Sequence, residues 1–276
     1  MKLNKEQIEF LHKYTYGGWT LNEKTGLVDI KGNFYCNYSI EGEGIFPQSE
    51  EKLTNFKGVK FGVVTGNFYC SNNSLTSLEG APQEVRGAFF CDHNSLTSLE
   101  GAPQWVGEDF YCSNNSLTSL EGAPQWVGET FCCYNNTLTS LVGAPLEVGE
   151  DFDCSNNSLT SLEGAPQVVG GIFHCENNNL TSLEGAPPWV GEDGEDFDCS
   201  INKYFYCSGN SISEETLDLV WETMQEKNVD YWVALSILKS KIKSSEWKLL
   251  EGELEERLSK DEQKGYFTLD QFGLFG

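Results

Sequence analysis

Residues 106–126 read VGEDFYCSNNSLTSLEGAPQW, and this frame returns every 21 residues along the middle of the chain. Cysteine marks the period most plainly, at Cys70, Cys91, Cys112, Cys133, Cys154 and Cys175. Two leucines and an asparagine keep the same spacing. A fixed period of about 20–29 residues with this order of apolar and Asn positions indicates a solenoid. One unit cannot bury its own apolar face, whereas stacked units can.

Within each unit the F-x-C segment predicts a short β-strand. Alternate residues of a strand point to opposite faces, so we expect Phe and Cys to face the core and the residue between them to face outward. Strands of successive coils then form a parallel sheet with neighbours about 4.8 Å apart. The Gly-Ala-Pro corner supplies a tight turn. A coil of 21 residues leaves no room for a helix on its other side.

The residues F-x-C-x-x-N-x-L resemble the core of a leucine-rich repeat, with Phe and Cys in two of the leucine positions. The following LTSLEGAP is similar to the short bacterial type of that repeat and to repeat proteins of tailed phages. The resemblance implies a leucine-rich-repeat solenoid whose parallel sheet lines the concave face. Some bacterial effectors join similar repeats to a ubiquitin-ligase domain with a nucleophilic Cys, but no Cys follows Cys207 here.

The fold class that we predict is a β-rich solenoid with helical caps at both ends, because an open solenoid would expose its core. The N-terminal cap is predicted over residues 1–58. It contains a short helix, which Asn4 and Gln7 begin with a capping box, and an irregular strand over residues 32–37.

The solenoid itself is predicted over residues 59–212, and a C-terminal helical cap follows over residues 213–276. The cap ends in an apolar tail, which either docks on the cap or binds a partner. Cys199 and Cys207 are only 8 residues apart, so one of the two strands around them is displaced from the regular stack.

The position between Phe and Cys varies most between units, and its side chains are predicted to line the concave sheet face. They are, in order, Tyr69, Phe90, Tyr111, Cys132, Asp153, His174 and Asp198. Acidic side chains flank them at Glu108, Asp109, Glu129, Glu150 and Asp151. A row of Tyr and Phe on a rigid surface favours protein recognition. The alternative is a row of solvated residues selected for β-propensity.

Three further rows have structural interpretations. Asn side chains should bond backbone groups of their own and neighbouring coils at Asn73, Asn94, Asn115, Asn136, Asn157 and Asn178. The inward cysteines should pack in the core as free thiols, because in-register neighbours are too far apart for disulfides. Cys132, in the outward position, is the predicted exposed thiol. Trp105, Trp126 and Trp189 recur just after the Pro corner, where they either pack between coils or form a binding stripe.

Composition restricts the classes of function. The chain has 276 residues and a net charge of -24, and residues 66–212 hold only Arg86 and Lys203 against 20 acidic residues. The partner should therefore be cationic at the contact, and direct nucleic-acid binding is excluded. No motif for catalysis, a cofactor or a metal is present, and no apolar run is long enough for a membrane span. The first residues lack the apolar core of a signal peptide, so we expect a cytoplasmic location, in the host cell if the protein is of phage origin.

These patterns predict a non-catalytic protein-binding scaffold that uses the concave sheet face. If the resemblance to phage proteins holds, the partner would be a host protein, and binding would block a host defence. An acidic DNA mimic is one alternative, because the solenoid carries about one net charge per 1.9 Å of its length, against about one per 1.7 Å in duplex DNA. A structural component of a virion or surface is another, for which the apolar tail is the only indication.

Overall fold

The computed structural model describes residues 2–36, 52–180, 185–187, 189–191, 205–206 and 222. In these residues the chain forms a parallel β-solenoid whose coils repeat every 21 residues. Asp198, Cys199, Cys207 and, apart from residue 222, the predicted C-terminal cap lie outside the described residues.

Each regular coil contributes two short strands, where the sequence predicted one. The first row consists of β3 (Phe61–Val64), β5 (Glu84–Val85), β7 (Trp105–Val106), β9 (Trp126–Val127), β11 (Glu147–Val148), β13 (Val168–Val169) and β15 (Trp189–Val190). The second row consists of β4 (Phe68–Tyr69), β6 (Phe89–Phe90), β8 (Phe110–Tyr111), β10 (Phe131–Cys132), β12 (Phe152–Asp153), β14 (Phe173–His174) and β16 (Phe205–Tyr206). Strands within a row pair in parallel, one residue opposite its equivalent in the next coil.

Three residues separate the two strands of a regular coil, and each of these segments contains a glycine. Gly107 follows the first-row Val106, and a Cβ atom built on it would lie 2.0 Å from the carbonyl oxygen of Arg86 in the preceding coil. This close approach requires glycine at Gly107. The equivalent positions in the two preceding coils are Arg86 and Thr65, so the break between the rows does not itself depend on glycine there.

The two rows meet in one strand at the N-terminal end. Strand β2 (Val28–Tyr35) pairs with β3 through Ile30 and with β4 through Phe34. On its other side it pairs antiparallel with β1 (Thr15–Leu21). The sequence prediction was wrong in two respects, because it missed β1 and started the first strand at residue 32. TYGGWTL contains no part of the repeat frame, so nothing in the period revealed it.

The predicted N-terminal helix and its capping box are both present. Helix α1 (Lys5–Tyr14) begins after Asn4, whose side chain accepts a hydrogen bond of 2.9 Å from the backbone N–H of Gln7. The Gln7 side chain accepts a bond of 3.0 Å from the backbone N–H of Asn4. The helix buries Phe10 and Tyr14, whose rings pack against Phe34 of β2.

The core is a set of in-register side-chain rows, as the alternation predicted. The second-row Phe side chains are fully buried and stack with ring centroids 4.9–5.5 Å apart at Phe34, Phe68, Phe89, Phe110, Phe131, Phe152 and Phe173. The Val, Cys and Leu rows pack around them and are buried as well. Each coil thus needs the coils on either side of it to bury its apolar face.

The LTSLEGAP side of the coil consists of bends and turns, and residues 52–180 contain no helix. Gly122 in this corner has φ +90, and an added Cβ would meet the Leu99 carbonyl group at 2.7 Å. The corner therefore requires glycine for both its conformation and its space. Within the described residues, no helix is long and apolar enough to cross a membrane.

Candidate functional site

The Asn row forms the hydrogen-bonded ladder that the sequence predicted. Asn115 donates from Nδ2 to the carbonyl oxygens of Cys91, Cys112 and Ser113 at 3.1, 3.1 and 3.2 Å. Its Oδ1 accepts from the backbone N–H of Leu96 in the preceding coil at 2.9 Å. Equivalent bonds to the preceding coil are made by Asn73, Asn94, Asn136, Asn157 and Asn178. The row is structural and holds successive coils together.

The outward positions of the second row begin with a stack of four aromatic rings. Tyr35, Tyr69, Phe90 and Tyr111 have successive centroid distances of 4.7, 4.6 and 5.0 Å and interplanar angles of 17° or less. Each ring is half-buried. Asn33 donates to the Tyr35 hydroxyl at 2.8 Å, and Asn67 donates to the Tyr69 hydroxyl at 2.9 Å. Stacking and hydrogen bonds together restrict the orientation of the rings.

Cys132 follows Tyr111 in this row, and the prediction that its thiol is exposed was wrong. The side chain is 5% exposed, and burial raises its pKa to about 12. The register places it between Tyr111 and Asp153, and its Sγ lies 3.9 Å from Asp153 Oδ2. Its side chain is shorter than those of both neighbours, so an outward direction does not expose it.

The row continues with polar residues that already have partners. Asp153 Oδ1 accepts a bond of 2.9 Å from the backbone N–H of Ser155. His174 Nδ1 lies 3.0 Å from Glu176 Oε1. His174 then pairs with Tyr206 in the sheet. The predicted position of Asp198 in this row lies outside the described residues and stays a prediction.

The flanking acidic residues divide into two kinds. Glu108, Glu129 and Glu150 occupy one position on three consecutive coils, where the backbone N–H of each later residue donates to the carbonyl of the earlier one. Burial raises the pKa of Glu129, and the nearby charges of Asp109, Glu150 and Glu108 raise it further. Among the described residues, none of these carboxylates has a Lys or Arg partner.

Asp109 and Asp151 have a structural role that the sequence analysis missed. Asp109 Oδ1 accepts a bond of 3.1 Å from the backbone N–H of Thr130, one coil further on. Asp151 Oδ1 accepts a bond of 2.7 Å from the backbone N–H of Ile172. Asn67 fills the same position earlier in the chain and makes the same bond. This recurrence of Asn and Asp at one position was the available sequence signal.

Tyr111 lies where the aromatic stack meets the acidic residues. One ring face stacks on Phe90, and the other faces the coil of Cys132. Burial raises the pKa of Tyr111 to about 12, and the nearby charge of Asp109 adds to this effect. The phenol therefore remains neutral at physiological pH.

The Trp row shows packing between coils, which is one of the two interpretations that the sequence left open. Trp105 and Trp126 stack on each other with centroids 5.1 Å apart and an angle of 14°. They pack between coils, yet 39% and 36% of their surfaces remain exposed. Trp189 lies in β15, paired with Val168 of β13.

The inward thiols are core residues, as predicted. Cys36, Cys70, Cys91, Cys112, Cys133 and Cys154 are free thiols, and the inward cysteines of the described residues are fully buried. Burial raises the pKa values of Cys70, Cys91, Cys112, Cys133 and Cys154 well above the usual range. In the part of the chain that the structure describes, no three His, Cys, Asp or Glu side chains are grouped so that they could hold a metal ion.

The chain matches no protein-family model, no curated protein and no solved structure. Its resemblance to leucine-rich repeats therefore remains a prediction. Among the described residues, the outward side chains form an ordered row of aromatic rings that continues into polar and acidic residues.

Proposed function

We propose that this protein is a non-catalytic scaffold that binds another protein through its second-row face. This face comprises the outward residues Tyr35, Tyr69, Phe90, Tyr111, Cys132, Asp153 and His174. The observation that carries the proposal is the four-ring stack that ends at Tyr111. Tyrosine is among the residues that dominate binding energy at protein interfaces.

The ring stack favours binding because its geometry exists before a partner arrives. Each ring stacks on a neighbour whose centroid lies 4.6–5.0 Å away. Asn33 and Asn67 donate hydrogen bonds to the hydroxyls of Tyr35 and Tyr69. A preorganised surface loses little side-chain entropy on association. The rings therefore offer apolar contact area at low conformational cost.

The contact surface of the partner should be basic. Glu108, Glu129 and Glu150 occupy one position on three consecutive coils and have no Lys or Arg partner among the described residues. Burial raises the Glu129 pKa, and the nearby charges of Asp109, Glu150 and Glu108 raise it further. A cationic surface would relieve this repulsion and would speed the encounter. If the resemblance to tailed-phage repeat proteins is followed, that partner is a host protein, and binding blocks its role in defence.

The test begins with affinity capture from a lysate of the source cell or its host, followed by mass spectrometry. Binding of the purified partner is then measured by interferometry for the wild type, for Tyr111→Ala and for the matched control Thr118→Ala, at about 50 and 200 mM salt. Tyr111→Ala should weaken binding by about 1–2 kcal/mol or more. The loss should persist at high salt, because apolar contact is not screened by ions.

A DNA mimic would behave differently in the same experiment. Its affinity would fall steeply between about 50 and 200 mM salt, as phosphate-like contacts do. It would also tolerate Tyr111→Ala and would compete with duplex DNA for its partner. That combination of results would replace the proposed function with the mimic.

A further inference from the structure

A second exposed surface lies on the other strand row. Among the described residues seven large apolar side chains are exposed, and five of them belong to neighbouring coils of the solenoid. We call these five the tryptophan patch: Trp105, Trp126, Val142, Leu146 and Val168. Leu146 is the most open, with 64% of its surface exposed. Trp105 lies in β7 of the first row and Tyr111 in β8 of the second row, so the patch is distinct from the second-row face.

Two members of the patch depart from the repeat frame in a way that the fold does not require. Val142 takes a position that is Glu in the other described coils, at Glu79, Glu100, Glu121 and Glu163. Leu146 takes a position that is Gln in four other coils, at Gln83, Gln104, Gln125 and Gln167, and Pro at Pro188. The local backbone is unchanged, because the N–H of Val142 donates to Ser140 Oγ at 3.1 Å just as that of Glu100 donates to Ser98 Oγ at 3.0 Å.

The Trp pair forms an ordered end of the patch. The two rings stack, and each extends over the glycine two positions further along its own coil, where an added Cβ would lie 3.0 Å from the ring. Along the first row the register runs from Trp105 through Trp126 and Glu147 to Val168. Three layers of about 4.8 Å make the patch about 14 Å long. An α-helix of about 10 residues has nearly that length.

Charge around the patch determines what can cover it. Glu147 lies within the row, and the exposed Glu121 and Glu163 lie at the equivalent corner positions of the flanking coils. The sequence contains no Lys or Arg between Arg86 and Lys203. An acidic partner would be repelled here. A partner with apolar side chains surrounded by Lys or Arg would bury the patch and pair with the glutamates around it.

We propose that the tryptophan patch binds a basic amphipathic helix of a partner protein, about three turns long. The apolar stripe of the helix lies on the Trp pair, Leu146 and Val142. Its Lys or Arg side chains reach the surrounding glutamates. This binding does not depend on the second-row face.

The test uses a fluorescently labelled 18-residue peptide with Leu at helical i, i+3, i+4, i+7 spacing and Lys at the other positions. A second peptide carries Glu in place of Lys, and a third has the Leu/Lys composition in alternating order, which cannot form an apolar helix face. Anisotropy titrations compare the wild type with the double variant Val142→Glu/Leu146→Gln. This variant restores residues that the neighbouring coils already use, so we expect it to fold, and circular dichroism verifies this. Thr118→Ala, an exposed change that belongs to neither face, is the matched control.

The helical Leu/Lys peptide should bind the wild type and Thr118→Ala equally, and it should bind the double variant at least about tenfold more weakly. Val142→Glu makes the protein more acidic, so any unspecific attraction for Lys would increase rather than fall. Undiminished binding to the double variant, or equal binding of the Glu peptide, would overturn the proposal. Stronger binding of the alternating peptide would assign an extended strand instead of a helix. Failure here would leave the second-row face untouched, because Tyr111→Ala tests that face separately.

Discussion

Replacing Asn115 by Ala is the sharpest perturbation of the ladder that joins the coils. The substitution removes three hydrogen bonds donated by Nδ2 and one accepted by Oδ1. It leaves the apolar core in place, because the Phe, Cys and Leu rows do not include this side chain. Any loss of stability therefore reports on the backbone groups that the Asn side chain serves.

The size of the stability loss depends on which backbone groups keep a hydrogen-bond partner after the substitution. The carbonyl of Cys91 still accepts from Asn94, and that of Cys112 still accepts from Asn136. The Ser113 carbonyl still accepts from the backbone of His93. The N–H of Leu96 has Asn115 as its one partner among the described residues, and Leu96 is fully buried. One orphaned buried N–H costs about 1–3 kcal/mol, so we expect a loss of about 2 kcal/mol.

Urea unfolding followed by Trp fluorescence measures this loss. Thr118→Ala, an exposed change in the same coil, should stay within about 0.5 kcal/mol of the wild type. Asn115→Asp keeps the acceptor for Leu96 but turns an oxygen toward three carbonyls, so it should destabilise at least as much as Ala. A stability of Asn115→Ala equal to that of Thr118→Ala would refute the ladder as a source of stability. Wild-type stability in Asn115→Asp would refute the assigned orientation of the amide.

Three further predictions concern the thiols, a corner glycine and an acidic residue. The buried thiols have pKa values raised above the unfolded value of 9.0, so they contribute full stability below that pH. Above pH 9.0 the free energy of unfolding should fall with pH, by about 1.4 kcal/mol per pH unit and per thiol. A constant stability up to about pH 10 would contradict this. Peptide mapping at pH 8 should show that Cys132 is labelled only after unfolding. Gly122→Ala should lower the unfolding free energy by more than about 1 kcal/mol, because its φ is +90 and the Cβ would meet backbone at 2.7 Å. The control Gly18→Ala, where the Cβ meets nothing within 4 Å, should be nearly neutral. Equal effects of the two substitutions would argue against the strained corner. Asp109→Asn keeps the hydrogen-bond acceptor for the next coil and removes one of the charges that raise the Glu129 pKa. Thermal unfolding should therefore show a protein at least as stable as the wild type, whereas Asp109→Ala should lose about 0.5–1.5 kcal/mol. The reverse order would refute the structural role of Asp109.

The period of the sequence determined the solenoid and its interior without help from the structure. Residues 21 positions apart in the chain become neighbours in space when the coils stack. Covalent spacing alone therefore showed that the Phe, Cys and Leu rows face inward and that Asn115 meets the coil before it. The capping box of α1 was equally readable, because it uses two side chains only three residues apart.

Contacts outside the repeat frame were decided only by the tertiary structure. Strand β1 pairs with β2 through backbone bonds, for which TYGGWTL carries no sequence signal. The division into two strand rows, which residues 107–109 separate in the central coil, is visible only in the folded backbone. Neither feature follows from periodicity, which specifies which residues are equivalent but not how the backbone between them bends.

The surface divides in the same way. The outward direction of the second-row residues follows from alternation along a strand. The burial of Cys132 does not, because it depends on the side chains of Tyr111 and Asp153 in the adjacent coils. The bond from Thr130 to Asp109 likewise depends on the rotamer that brings a carboxylate to the next coil. Sequence periodicity thus determined which side chains stack, while side-chain length and orientation, known only from the folded chain, decided which of them reach solvent.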